Sequence, residues 1–229
     1  MSLDAFAEQL ASPAATPGGG AAAARVGLYA CSLLRMVIGI NLKKWKEASA
    51  GPGKSKRKVT WDPASLSAVL EAAEVLSGRF ESLEGEDMAA FGAYLEASRL
   101  PRSTPQEKEK RRLARFRAAL QATEVPLNMM EAAREVLRLT RSALEIVGAA
   151  SISAETDLCA AVELAQAAAS VSELNARANM PQLAPEKLED IGKRLEELKR
   201  SMEALFGELK AALMEKLGFA KTPEAGPAS

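Results

Sequence analysis

Apolar side chains recur every three or four residues through most of this chain, which is the spacing of one face of an α-helix. The C-terminal stripe shows it most clearly, with Leu188, Ile191, Leu195, Leu198, Met202, Leu205, Leu209 and Leu213. The longest stretch with the alternation of a β-strand is confined to residues 58–61. This spacing therefore predicts an all-α fold.

The residue types agree with this prediction. The chain has 45 Ala and 29 Leu but only 15 Val and Ile together, and Ala and Leu favour helices whereas β-branched residues favour strands. Apolar residues make up 48% of 229 residues, enough for a sizeable core. We expect one helical domain over residues 1–229, an up-and-down-type bundle of about six or seven helices with a Gly-rich loop before the second.

Proline and glycine mark the helix boundaries. Asp62 and Pro63 are typical of an N-cap and a first turn, Gly85 is a candidate interruption, and Pro126 predicts the start of a new helix. The terminal helix is either a packing helix or half of an intersubunit seam. The predicted helices cover residues 3–10, 21–46, 63–98, 105–123, 127–150, 154–178 and, as the terminal packing helix, 185–218.

The chain contains no histidine. This excludes Ser-His-Asp and Cys-His nucleophile systems and every His-based zinc site, and we expect no metal. Proton transfer would have to use carboxylates, lysines, tyrosines, cysteines or water. Cys31 and Cys159 lie in apolar helical surroundings, which predicts buried free thiols in a reducing compartment.

Charge and hydropathy bear on partners and location. The 30 basic and 30 acidic residues cancel, which argues against a nucleic-acid-binding protein. Residues 21–40 are long enough to cross a membrane, but Arg25 and Arg35 favour a helix buried among other helices. With no secretory signal recognised at the start of the sequence, we expect a cytoplasmic protein without membrane association.

Two local signals concern catalysis and anion binding. Thr16 and Pro17 precede Gly18, Gly19 and Gly20 at a helix start, where backbone amides and the helix dipole favour a carboxylate or phosphate. A flexible turn between helices explains the glycines equally. Asp87 precedes an apolar helical face; it is either a surface acid or, if it points inward, a general acid–base group whose pKa burial would raise.

Basic residues form two patches. Each is either a solvated face, a site for a polyanion or, third, an RNA-binding surface. The patches comprise Lys43, Lys44, Lys46, Lys54, Lys56, Arg57 and Lys58, and then Arg111, Arg112, Arg115 and Arg117.

Two charged residues lie near the ends of a predicted helix. Asp157 complements a helix dipole near Thr156, and Arg177, close to Asn175, either holds a ligand carboxylate or caps a helix.

Taken in order, these motifs resemble the formiminotransferase-cyclodeaminase family, in particular its helical cyclodeaminase domain and the related methenyltetrahydrofolate cyclohydrolases. The similarity covers about residues 3–183, with the ligand-site motifs within 16–180. It rests on Phe6 to Ser12, Pro17-Gly18-Gly19-Gly20, Lys43-Lys44-Trp45, Asp87-Met88-Ala89-Ala90-Phe91, Leu100-Pro101-Arg102, Glu124-Val125-Pro126-Leu127, Thr156-Asp157 and Asn175-Ala176-Arg177-Ala178-Asn179.

The resemblance implies a cytoplasmic homodimeric ammonia-lyase of histidine degradation. It would convert 5-formiminotetrahydrofolate, with or without a polyglutamate tail, to 5,10-methenyltetrahydrofolate and ammonia, without a further cofactor. Asp87 would be catalytic. The implied substrate-binding residues are Pro17, Gly18, Gly19, Gly20, Lys43, Lys44, Arg102, Asp157, Asn175 and Arg177.

Some positions depart from the family pattern. Ala21 replaces a serine after the glycines, Thr156 replaces a serine, Cys159 replaces a glycine and Arg102 replaces a lysine. Two alternatives therefore stay open. One is hydrolysis of 5,10-methenyltetrahydrofolate on the same fold, and the other is a noncatalytic folate-binding or helical assembly protein.

Overall fold

The computed structural model describes residues 3–49, 61–148 and 151–218. Over these ranges the chain forms six α-helices and one short 3₁₀ turn, and no strand, which confirms the all-α prediction. Lys54, Lys56, Arg57, Lys58 and most of the 58–61 segment lie outside the described residues. The helices are α1 (Leu3–Ala11), α2 (Gly19–Ser49), α3 (Pro63–Arg99), α4 (Pro105–Val147), α5 (Glu155–Asn179) and α6 (Pro185–Lys216), with the 3₁₀ turn at Met180–Gln182.

Helices α2 to α5 run alternately up and down. Arg25 near the start of α2 pairs with Glu84 late in α3 at 2.8 Å, and Arg35 further along α2 pairs with Glu74 earlier in α3. The two helices are therefore antiparallel, and α5 closes the bundle against both α2 and α4. The short helix α1 is anchored by buried Phe6, whose ring centroid lies 3.7 Å from the Arg25 guanidinium carbon.

The predicted helix starts of α3 and α4 are confirmed. The Asp62 carboxylate accepts hydrogen bonds from the Ala64 and Ser65 amides, which otherwise lack partners in a first helical turn. Thr104 and Glu107 form a reciprocal capping box at the start of α4. Gly85 does not interrupt α3, which continues to Arg99.

The predicted boundary at Pro126 is wrong, because α4 is one continuous helix from Pro105 to Val147. Proline cannot donate the helical hydrogen bond to the carbonyl four residues earlier, which belongs to Ala122. The Asn179 side chain supplies the missing donor, since its Nδ2 lies 2.7 Å from the Ala122 oxygen. A long-range hydrogen bond thus helps α4 to continue where local sequence rules predict a break.

Helix α6 is a packing helix of its own chain. Its predicted stripe is buried from Ile191 to Leu213, whereas Leu188 remains 39% exposed. Arg194 links α6 to α4 through Glu124 at 2.5 Å and Glu131 at 3.0 Å. This placement favours the packing alternative over an intersubunit seam.

Helix α2 is long and apolar enough to cross a membrane by length and composition. The core helix of a water-soluble bundle passes the same test, and 44% of the apolar window is buried inside this bundle. Arg25 and Arg35 both pair with glutamates of α3. These ion pairs fit the predicted role of α2 as a helix packed among others.

Candidate functional site

The N-terminus of α2 approaches the middle of α3 very closely. A Cβ atom placed on Gly20 would lie 2.0 Å from Oδ1 of Asp87, so a side chain at this position would collide with the carboxyl group. The glycine therefore provides room for Asp87. A cavity of about 300 Å³ opens here, lined by Ala15, Thr16, Gly18, Gly19, Gly20, Asp87, Phe91, Ala122, Asn175, Ala178 and Asn179.

Asp87 differs from the other acidic residues of its segment. Glu84 is paired with Arg25 at 2.8 Å and Glu86 with Arg79 at 2.6 Å. Asp87 has no cationic partner in the described ranges, and it is half-buried. Burial raises the pKa of the Asp87 carboxyl because it disfavours the charged form, and the backbone N–H of Ala21 partly opposes this rise.

Two asparagines from the end of α5 complete the cavity. Asn179 is held by its hydrogen bond to the Ala122 carbonyl, the group freed by Pro126. Asn175 lies beside the first turn of α2, and its buried Nδ2 has no hydrogen-bond partner in the described part of the protein. A buried donor without a partner is costly, so Nδ2 is a ready contact for a ligand oxygen.

Phe91 and Asn179 line the cavity, although they are not among the substrate-binding residues predicted from the sequence. Their spacing along the helices is a signal that could have identified them. Phe91 follows Asp87 by four residues on α3, and Asn179 follows Asn175 by four residues on α5. Residues four apart share a helix face, so each pair is directed to the same cavity. Ala15, Thr16, Ala122 and Ala178 also line the cavity but carry no comparable sequence signal.

The structure brings together Gly18, Gly19, Gly20, Asp87 and Asn175 of the predicted site. Pro17 is buried directly before the glycines and is joined to Thr16 by a cis peptide bond. These residues come from three distant parts of the chain. The triglycine segment is thus part of a cavity wall as well as a turn between helices.

Three predicted residues lie at the opposite end of α2 and α5. Lys44 donates to the Ser153 hydroxyl at 2.8 Å, and Lys43 lies 3.9 Å from Glu47. Asp157 is in the first turn of α5, which begins beside this end of α2. About 36 Å of helix rise separates Gly20 from Lys44, so these residues do not reach the cavity of their own chain.

Arg102 and Arg177 occupy two further places. Arg177 is exposed and pairs with Glu173 at 2.8 Å and Glu196 at 2.6 Å, which ties the end of α5 to α6. Arg102 lines a second cavity of about 530 Å³ beside the start of α4. Neither side chain lines the Asp87 cavity.

The arrangement around Asp87 suits proton transfer to or from an uncharged or cationic ligand. A raised pKa makes the Asp87 carboxylate a better proton acceptor than an exposed aspartate, and the acid that forms can return the proton. The first-turn amides of α2 other than that of Ala21, together with the Asn175 amide, are donors for ligand oxygens. The described residues contain no group of three or more His, Cys, Asp or Glu side chains placed to hold a metal ion.

Comparison with known proteins identifies the family and a similar fold. The sequence profile of the formiminotransferase-cyclodeaminase family matches residues 2–200. The fold is similar to the crystal structure of formiminotetrahydrofolate cyclodeaminase from Thermotoga maritima at 2.80 Å resolution. The TM-score is 0.77 at 22% sequence identity, covering 95% of this chain and 98% of that one. No curated protein matches the sequence. The chain belongs to the formiminotransferase-cyclodeaminase family.

Proposed function

We propose that the protein is a cytoplasmic formiminotetrahydrofolate cyclodeaminase that converts 5-formiminotetrahydrofolate to 5,10-methenyltetrahydrofolate and ammonia. Membership of the family supports a folate-related activity. The observation that carries the specific proposal is the half-buried Asp87 carboxyl, which lies against Gly20 in a ligand-sized cavity and has no ion-pair partner among the described residues. A carboxyl is one of the groups that can carry the proton of this reaction in a protein without histidine.

The reaction moves one proton between two nitrogens. The substrate N10 attacks the carbon of the protonated formimino group and forms a new carbon–nitrogen bond, giving an intermediate with an amino group on that carbon. The Asp87 carboxylate accepts the N10 proton and then donates it to this amino group. The bond between this carbon and the protonated amino group then breaks. Ammonia leaves, and the cationic methenyl bridge remains. Such acid–base catalysis typically contributes about 10²–10⁴-fold in rate.

The other cavity residues position the substrate in this proposal. The buried Nδ2 of Asn175 donates to a ligand oxygen, which gives this donor the partner it lacks. Phe91 offers an aromatic face beside Asp87 for the flat ring system of the substrate. The first-turn amides of α2 donate to a further oxygen.

An absorbance assay for the methenyl chromophore separates the three functions that the sequence leaves open. Formation of the chromophore from 5-formiminotetrahydrofolate supports cyclodeaminase activity. Its hydrolytic loss, without formation from the formimino compound, would instead identify a cyclohydrolase. Calorimetric binding of a reduced folate without either reaction would identify a noncatalytic folate-binding protein.

We also propose a homodimer that pairs through the outward face of α2. Its apolar row is only partly covered by the described part of the chain: Val26 packs against the core, whereas Tyr29 is 40% and Met36 42% exposed. Contiguous exposed apolar surface is typical of protein interfaces. A two-fold axis near the middle of α2 pairs it with its copy in antiparallel fashion. The row comprises Val26, Tyr29, Leu33, Met36 and Ile40.

This pairing gives Lys43 and Lys44 a route to a substrate. In an antiparallel pair the C-terminal end of one α2 lies near the N-terminal end of the other, where Gly20 and Asp87 form the cavity. Lys43 and Lys44 of one subunit would then supply positive charge to the site of its partner. The separation of about 36 Å within one chain is no obstacle to this arrangement.

A further inference from the structure

An ion pair joins helices α2 and α3 beside the contact between Gly20 and Asp87. Glu84 precedes Asp87 by three residues on α3, and Arg25 follows Gly20 by five residues on α2. The guanidinium of Arg25 donates through Nε to Oε2 of Glu84 at 2.8 Å and through Nη2 to Oε1 at 2.9 Å. Two parallel hydrogen bonds fix the orientation of both planar groups. The pair therefore holds the start of α2 at a defined position along α3.

Little of this ion pair faces water. The side chains of Arg25 and Glu84 are 15% and 16% exposed, and in the described ranges no other ion pair has both partners less than one-fifth exposed. The buried ring of Phe6 covers the guanidinium, and the uncharged Tyr29 lies beside it. Solvent screens such charges weakly, so either charge alone would act on neighbouring groups.

Asp87 is the only titratable residue among the described residues that line its cavity. Other charged groups on the elements around the cavity either have partners or face water. These are Glu86 with Arg79 on α3, Glu124 with Arg194 between α4 and α6, Arg177 with Glu173 and Glu196 between α5 and α6, Arg115 of α4 with the neutral Tyr94 and Gln182, and the exposed Glu8 of α1.

The two charges of the ion pair have opposite effects on Asp87. An unpaired carboxylate at Glu84 would raise the pKa of Asp87, since side chains three residues apart on a helix have Cβ atoms about 5–6 Å apart. An unpaired guanidinium at Arg25 would lower this pKa. In the paired state the two effects largely cancel, and burial remains the main cause of the raised pKa of Asp87.

We propose that Arg25 and Glu84 are positioning residues for Asp87 in the cyclodeaminase reaction. As a pair they hold α2 against α3 at the site and present no net charge to the reacting carboxyl, which can then accept a proton from the substrate and return it. Neither residue lines the cavity, so both act through Asp87. The reaction itself rests on the proposed function, whereas the charge balance is a property of the folded protein.

Carboxyl ¹³C NMR measures the pKa of Asp87 directly. The chain has five aspartates, so protein labelled at the aspartate side-chain carboxyl gives few signals, and the signal missing from Asp87→Asn protein identifies Asp87. The test variants are Arg25→Gln, Glu84→Gln and the double variant Arg25→Gln/Glu84→Gln. Glu86→Gln is the matched control, because Glu86 is a neighbouring glutamate of α3 whose ion pair with Arg79 is exposed.

We expect Arg25→Gln to raise the pKa of Asp87 by about one unit and Glu84→Gln to lower it by about one unit. The double variant, with two amides in place of two charges, should return close to the wild-type pKa, and the control should stay there. The pH profile of kcat/KM for methenyl formation should shift in the same directions. Shifts of the same sign in both single variants, or no shift in either, would overturn the proposal.

Circular dichroism checks that each variant is folded. If one single variant does not fold, the other is compared with the double variant, since these two differ by one charge and the expected sign of the pKa difference is unchanged. Opposite pKa shifts without any methenyl product would support the charge balance while the proposed reaction fails. Methenyl formation with pKa values that do not move apart would leave the proposed function standing and overturn this proposal.

Discussion

The carboxyl group of Asp87 occupies the space in which a side chain at Gly20 would lie, with only 2.0 Å between Oδ1 and a Cβ built on the glycine. Gly20→Ala must therefore push Asp87 away from the start of α2. A displacement of about 1 Å can cost about 10²-fold in rate, and we expect at least that loss in kcat/KM. Overpacking should also lower the free energy of unfolding by about 1–3 kcal/mol.

Gly78→Ala is the matched control for this substitution. Gly78 lies within α3, is exposed and has nothing within 4 Å of an added Cβ atom. Alanine should stabilise the helix by about 0.5–1 kcal/mol and leave kcat/KM unchanged. Wild-type kinetics in Gly20→Ala protein would show that Asp87 does not need its observed position.

The raised pKa of Asp87 predicts a pH-dependent effect on stability. Burial raises the folded-state pKa of this carboxyl above its ordinary value of 3.8, so the charged form is disfavoured in the folded protein. The contribution of Asp87 to the free energy of unfolding is fully present below the unfolded-state pKa. It is lost as the pH rises through the folded-state pKa. Asp87→Asn should therefore raise the stability at neutral pH relative to wild type, and this gain should fade in acid.

Urea unfolding of wild-type and Asp87→Asn protein at several pH values measures this difference. Glu86→Gln is the control, since Glu86 is paired with Arg79 and its substitution should not stabilise the protein. A stability difference between wild type and Asp87→Asn that does not change with pH would contradict the assignment of a destabilising buried charge.

Asn179 and Pro126 should be energetically coupled through the Ala122 carbonyl. Asn179→Ala removes the side-chain donor and leaves this carbonyl unpaired, at a cost of about 1–3 kcal/mol in the free energy of unfolding. In a Pro126→Ala background the residue 126 amide can donate to the same oxygen, so Asn179→Ala should cost less. A double-mutant cycle by thermal unfolding measures the coupling, and strict additivity would exclude it.

The proposed dimer predicts that a charge in the apolar row of α2 prevents association. Met36→Glu places a carboxylate on that face and should give a monomer in sedimentation velocity, while wild-type protein is dimeric. Val75→Glu is the control, because Val75 is 77% exposed on α3 and lies outside the row. A dimer that persists in Met36→Glu protein would show that the interface is elsewhere.

The proposed sharing of Lys43 and Lys44 between subunits can be tested with mixed dimers. Neither Asp87→Asn nor Lys43→Gln/Lys44→Gln protein should be active alone. A mixed dimer would contain one site with both Asp87 and the partner's lysines, so co-expression of the two should restore methenyl formation. Absence of restoration in a purified mixed dimer would contradict this arrangement.

Helical periodicity was sufficient to predict α6. The apolar residues from Ile191 to Leu213 recur at helical spacing, and the same residues are buried in the structure. It failed at Pro126, because the donor to the freed Ala122 carbonyl is Asn179, fifty-seven positions from Ala122 in the chain. Local rules judge a proline by its neighbours in sequence. They contain no information about which distant side chain will satisfy a freed carbonyl.

The site was predictable where residue type and helix face coincide. Glycines at the start of α2, Asp87 and Asn175 combine unusual residue types with helical positions, and the fold places them together. The sequence did not reveal that Lys43 and Lys44 lie at the far end of α2. Charge alone did not separate Arg177, paired with two glutamates, from Arg115, which is held by neutral acceptors.

The most direct test of the account is the turnover of 5-formiminotetrahydrofolate by Asp87→Asn protein, followed as methenyl absorbance alongside calorimetric folate binding. Asparagine keeps the size of the side chain but cannot carry the proton. The account predicts that kcat falls by about 10²–10⁴-fold while the affinity for reduced folate stays close to that of wild type. A kcat near the wild-type value would contradict the central claim that Asp87 carries the proton.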